Sequence, residues 1–126
     1  MTAQAPADLA EDGKRAYERG RYDESARLFQ LAAEAYQRQN SSLLAAEMNN
    51  NESVAWLQAG QPAQALEAAR GTDALFASAS DPKRQAMALG NQAAALEALG
   101  RSDEALETYA RSETLFEQLG EGDMLA

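Results

Sequence analysis

The sequence predicts an all-α fold, an α-solenoid of three stacked helix-turn-helix hairpins, and three observations carry that expectation. First, Gly20, Gly60 and Gly100 stand forty residues apart and open similar segments, GRYDESARLFQLAAEAY, GQPAQALEAARGTDALF and GRSDEALETYARSETLF. Second, Ala, Leu, Glu, Gln and Arg dominate between these breakers, and all five are good helix formers. Third, no stretch alternates apolar and polar residues as a half-buried strand would. At 126 residues the chain reads as one domain, with units at about 6–40, 41–80 and 81–120.

Each unit divides into two helices, expected at about 7–19, 22–38, 42–59, 62–78, 82–99 and 102–118. Gly20, Gly60 and Gly100 suit the left-handed position that ends a helix. In the second helix, Leu28, Leu31, Ala32, Ala35 and Tyr36 recur at spacings of three and four. Ser41-Ser42 and Asp81-Pro82 are capping signals for the third and fifth helices. Pro62 suits a first turn, where its missing N–H costs nothing. Leu96 and Leu99, then Leu106, Tyr109 and Leu115, carry the apolar stripe through the last pair. A helix of seventeen residues would be roughly 26 Å long.

The run Asn49–Asn51 tests this register, because asparagine is a poor helix former. The forty-residue superposition lays Asn51 over Asn91, deep in another helical pattern. The run is therefore expected mid-helix, at a cost of roughly 0.5 kcal/mol per Asn relative to Ala. Small residues (Ala26, Ala65, Ala105) are expected where helices cross, with Tyr17, Phe29, Trp56, Leu96 and Tyr109 filling the spaces between. At the C-terminus, GEGDMLA superposes on SDPKRQA, so 121–126 read as the opening of a fourth unit. On that reading the chain is a fragment of a longer repeat protein, or its last hairpin is uncapped.

Gly-x-Tyr-x-Glu-Ser at Gly20–Ser25 and Gly-Arg-Ser-Asp-Glu-Ala-Leu at Gly100–Leu106 resemble the inter-helix turn of tetratricopeptide repeats. Gly13 with Tyr17, and Phe29 with Ala32, resemble that family's close-packing positions in its first and second helices. The resemblance covers about 6–120, and the forty-residue unit is similar to the long repeats of kinesin light chains and Leu-Gly-Asn scaffold proteins. The sequence departs from the pattern at Ser53, Ala93, Ala69 and Pro62. HEAT-type repeats, of similar period, are the structural alternative. The resemblance implies a right-handed superhelix whose first helices line a concave groove, and a non-enzymatic module that binds a partner peptide or protein there.

On that implication the groove draws Lys14 and Tyr17 from the first unit, Glu47, Asn50, Asn51, Val54 and Gln58 from the second, and Asn91 and Glu97 from the third. Met87, Gly90 and Ala94 are expected on the same face, with Gly90 and Ala94 narrowing its wall. A primary amide offers two donors and an acceptor, which suits an extended peptide backbone. Asn50–Asn51 is also similar to an Asn-Asn pair in kinesin light chain repeats, where groove amides hold cargo. Glu47 and Glu97 would favour a basic side chain. A carboxylate-binding clamp of the family's kind is not expected, since Lys14 is the one base on this face.

Composition narrows the function. The chain has no Cys and no His, which removes thiol chemistry, the usual zinc sites and the commonest general base. Glu11-Asp12 and Asp103-Glu104 sit near helix beginnings, where acids complement the macrodipole. No catalytic site, cofactor or metal is expected, and the chain reads as no enzyme. The net charge is −9, and the excess of acids over bases grows from one in 6–40 to three in 41–80 and five in 81–126. Nucleic acid is therefore an unfavourable partner, and a basic or neutral peptide is favoured. The absence of a long apolar run points away from a membrane and to a cytoplasmic protein. The alternative to peptide capture is a structural role, homo-oligomerisation through apolar surface near Leu115, Phe116 and Leu119.

Overall fold

The computed structural model describes residues 4–125, which form seven α-helices and, among them, no strand. They are α1 (Pro6–Glu18), α2 (Tyr22–Arg38), α3 (Ser42–Gln58), α4 (Pro62–Ala69), α5 (Thr72–Ser78), α6 (Pro82–Ala98) and α7 (Ser102–Leu125). Among the described residues, no helix is long and apolar enough to cross a membrane.

Five turns recur every twenty residues. Gly20, Gly60 and Gly100 hold φ near the left-handed region at 75°, 77° and 78°, and Asn40 and Ser80 do so at 59° and 57°. In each turn the following residue's N–H reaches back five places, as from Arg21 to Ala16 O (2.8 Å) and from Ser41 to Tyr36 O (2.9 Å). These paired bonds satisfy carbonyls that the helix end would otherwise orphan. Glycine takes the turns inside the hairpins, while Asn40 and Ser80 take the turns between them. Asp81 then caps α6 with its carboxylate, which accepts from the Arg84 N–H at 3.1 Å. Ser41 occupies the corresponding place before α3, but its side chain makes no capping bond.

Two helix expectations need correction. The helix expected over 62–78 is broken. Arg70 (φ −59°, ψ 124°) and Gly71 (φ 77°, ψ −4°) form a tight turn of type II between α4 and α5. The carbonyl freed at Ala69 is reused: Thr72 Oγ1 donates to it at 2.8 Å, and Gln92 Nε2 from α6 at 2.9 Å. The helix expected to end at 118 instead runs to Leu125. Glu121-Gly122 lacks the Ser-Ser or Asp-Pro stop that follows Asn40 and Ser80.

Helices adjacent in sequence pack together: α1 on α2, α2 on α3, α3 on α4 and α6 on α7. Contacts of α6 with α3, α4 and α5 join the later part of the chain to the middle. Alanine makes these approaches close. Ala26, Ala55, Ala65, Ala86, Ala93 and Ala95 are fully buried, and Trp56, Phe76 and Leu89 fill the remaining volume. Gly13 belongs to the same logic, since a Cβ there would lie 3.1 Å from the buried Phe29 ring. One unit on, the same two positions hold Ser53 and Ala69, a larger residue facing a smaller one.

Candidate functional site

The Asn run lies within α3, as the forty-residue register expects, and its three amides point in different directions. At about 100° per residue, successive side chains of a helix cannot share one face. Asn51 turns toward α1 and α6. It lines a hollow of about 410 Å³ with Lys14, Glu47, Met48, Lys83 and Arg84. It also lines a neighbouring hollow of about 230 Å³ with Lys14, Tyr17, Phe29 and Val54. The larger of these inner hollows lies between α1, α3 and α6, and the smaller between α1, α2 and α3.

Asn50 opens onto the larger hollow but is itself buried, and its Oδ1 lies 2.9 Å from Thr72 Oγ1 at the start of α5. That contact ties α3 to the turn that breaks the neighbouring helix. Asn51 is half-buried and makes no side-chain hydrogen bond to any described residue. Of the adjacent pair Asn50 and Asn51, Asn51 is the one left with its bonding capacity open.

The charges differ from the sequence reading. Glu47 is held by Arg84 of α6, Oε1 to Nε at 2.7 Å. Arg84 also pairs with Asp81 at 3.0 Å, and the two acids hold its guanidinium above its ordinary pKa. Glu47 is therefore not a free acid waiting for a partner's base. Lys83 and Arg84 join Lys14 on the hollow's wall, so three bases meet one paired acid there. Both lie one turn before Met87, and extending the Met87 face backwards by three and four residues reaches them.

Tyr17 and Val54 fall on the smaller inner hollow, and Tyr17 packs edge-on against Tyr22 with ring centroids 5.1 Å apart. Gln58, Asn91 and Glu97 line neither hollow. Gln58 and Glu97 are exposed near the ends of α3 and α6, while Asn91 is half-buried. Gly90 does not narrow a groove wall: a Cβ there would face Ser112 Oγ of α7 at 3.7 Å. Burial raises the Tyr109 pKa, with the Glu97 charge adding to it.

A larger outer hollow of about 480 Å³ lies on the other side of α3, walled by α2 and by α4 and α5. Asn49, Glu52 and Trp56 form part of its lining. From sequence, Trp56 in helical phase with Leu96 reads as core filling, which hides this hollow. Compared with protein-family models, curated proteins and solved structures, the chain matches none.

Proposed function

We propose that the chain is a right-handed, tetratricopeptide-like solenoid that serves as a non-enzymatic protein-interaction module. The inner hollows on the α1 side of α3 take an extended segment of a partner protein. One observation carries this reading: Asn51 lines both hollows with its amide uncommitted, beside apolar Val54 and Met87 on the same walls. An amide in that position can donate to one peptide carbonyl and accept from one peptide N–H. With Glu47 neutralised by Arg84 and with Lys14 and Lys83 nearby, a neutral or acidic segment suits the site better than a basic one.

The test is a peptide array followed by titration calorimetry of the best binder. Asn51→Ala is expected to weaken binding by about 1–3 kcal/mol, because peptide groups desolvated in the hollow lose a partner. Equal affinity for Asn51→Ala and the parent, or no binder on an array that includes acidic sequences, would refute the reading.

A second reading rests on α7. Leu106 and Phe116 are 68% and 44% exposed, whereas Phe76, forty residues before Phe116, is 1% exposed beneath α3 and α6. Leu66, forty before Leu106, is likewise packed against the core. A bare face of this kind suits self-association. Sedimentation equilibrium should show concentration-dependent dimers, weakened by Leu106→Glu; monomer alone at the highest soluble concentration would remove this reading.

A further inference from the structure

The outer hollow has a chemistry of its own. At its floor, Glu52 is 7% exposed, and Trp56 Nε1 donates to its Oε2 at 3.0 Å. Among the described residues, that is the one hydrogen bond the carboxylate accepts. Glu34 of α2 and Glu67 of α4 stand on the walls. Arg70 is the single base in the lining, and it is already paired with Glu67 at 3.0 Å on the exposed rim. The hollow is thus left with two uncompensated acids, one of them nine-tenths buried.

A buried indole N–H needs an acceptor, but a neutral amide would satisfy it. A carboxylate in that place costs desolvation that the single Trp56 bond offsets only in part, and no cation among the described residues pairs with it. Burial, together with the nearby Glu34 charge, pushes the Glu52 pKa above its ordinary value, as expected of a carboxylate short of a cation. The indole contributes as well. The Arg27 guanidinium, outside the hollow's lining, sits 5.8 Å from its ring centroid, so the ring attracts cations.

We propose that the outer hollow between α2, α3 and α4 is a receptor site for an arginine side chain on a basic segment of a partner protein. The guanidinium enters between Glu34 and the indole and pairs with the Glu52 carboxylate at the floor. Planar and weakly hydrated, it can bond the carboxylate and stack on an aromatic ring together, which a lysine ammonium does less well. The site is independent of the inner hollows and stands whether or not they bind peptide.

Trp56 is the sole tryptophan, so its fluorescence reports directly on the site. The probe is the peptide acetyl-Gly-Arg-Gly-Arg-Gly-amide, compared with the same peptide carrying citrulline, the neutral isostere of arginine. Saturable change in Trp56 emission is expected with the arginine peptide, and affinity about tenfold weaker with citrulline. Glu52→Gln keeps an acceptor for the indole and removes the charge, so it should lose arginine-peptide affinity about tenfold. Glu34→Gln, on an exposed wall position, should lose part of it and guards against a folding defect in the floor variant. Glu113→Gln, an exposed acid on α7, should bind as the parent does. Equal binding by Glu52→Gln, Glu34→Gln and the parent would overturn the proposal. So would equal losses in Glu113→Gln and Glu52→Gln, or no saturable response by fluorescence and calorimetry.

Discussion

Ser53 Oγ donates to the Ala65 carbonyl at 2.7 Å, and forty residues earlier Ser25 Oγ donates to the Gly13 carbonyl at 2.8 Å. Positions 13 and 53 correspond, as do 25 and 65, so the same helix crossing is tied in both units. The hydroxyl sits on the second helix in the first unit and on the first helix in the second unit. In the third unit both positions are alanine, Ala93 and Ala105, and Ser112 bonds the Ala86 carbonyl instead at 2.8 Å. The crossing demands small residues, and a hydroxyl can be supplied from either side.

Ser53→Ala should therefore destabilise the fold by about 1 kcal/mol, the net worth of a buried hydrogen bond. Adding Ala65→Ser should restore most of the loss by re-creating the arrangement of the first unit. Urea unfolding of the parent, single and double variants measures it. A double variant no more stable than Ser53→Ala would contradict an exchangeable crossing.

Gly71→Ala separates the broken helix from the continuous one that the repeat register predicts. In a continuous helix over 62–78, replacing glycine with alanine would stabilise by about 1 kcal/mol. At the observed φ of 77°, alanine should instead destabilise by roughly 1–2 kcal/mol. Thermal and urea unfolding give the sign directly.

Much of this architecture was legible in the sequence, because the forty-residue period and the glycine turns are local chemistry repeated three times. The break at Gly71 was not, since superposing the units sets it against Leu31 and Arg111, which continue their helices. Its local signs, a glycine followed by Thr72-Asp73, were outweighed by the repeat. The candidate site was legible in part. Helical phase put Lys14, Asn51 and Val54 on one side, yet Asn50 depends on a partner twenty-two residues away, Thr72. Pairing between Glu47 and Arg84 joins two helices and leaves no trace in local spacing.

The two adjacent asparagines should part in their effects on stability. Asn50→Ala leaves the buried Thr72 hydroxyl with one partner fewer and should cost about 1–3 kcal/mol. Asn51→Ala breaks no bond within the described residues and should stay within about 0.5 kcal/mol of the parent. Urea unfolding of both decides it; equal losses would mean that Asn51 is also part of the packing.

Glu52 makes stability depend on pH in a defined direction. Burial lifts its folded pKa above the ordinary 4.5, so the fold holds its proton more tightly than the unfolded chain does. Its contribution is fully present below about pH 4.5 and is lost as the pH rises through the raised folded value. Glu52→Gln removes this titration while keeping an acceptor for Trp56. The Tm advantage of Glu52→Gln over the parent should grow between about pH 4 and about pH 8. A difference that stays flat across that range would mean that Glu52 is not destabilised by its burial.

The central claim, that partner peptides enter between the first helices, is tested most directly by nuclear magnetic resonance. The array-selected peptide is titrated into ¹⁵N-labelled protein. The account predicts shift changes centred on the Asn51 side-chain amide and on the backbone around Lys14, Val54 and Met87. Changes confined to the outer side of α3 at Glu52 and Trp56, or to Leu106 and Phe116 on α7, would contradict it.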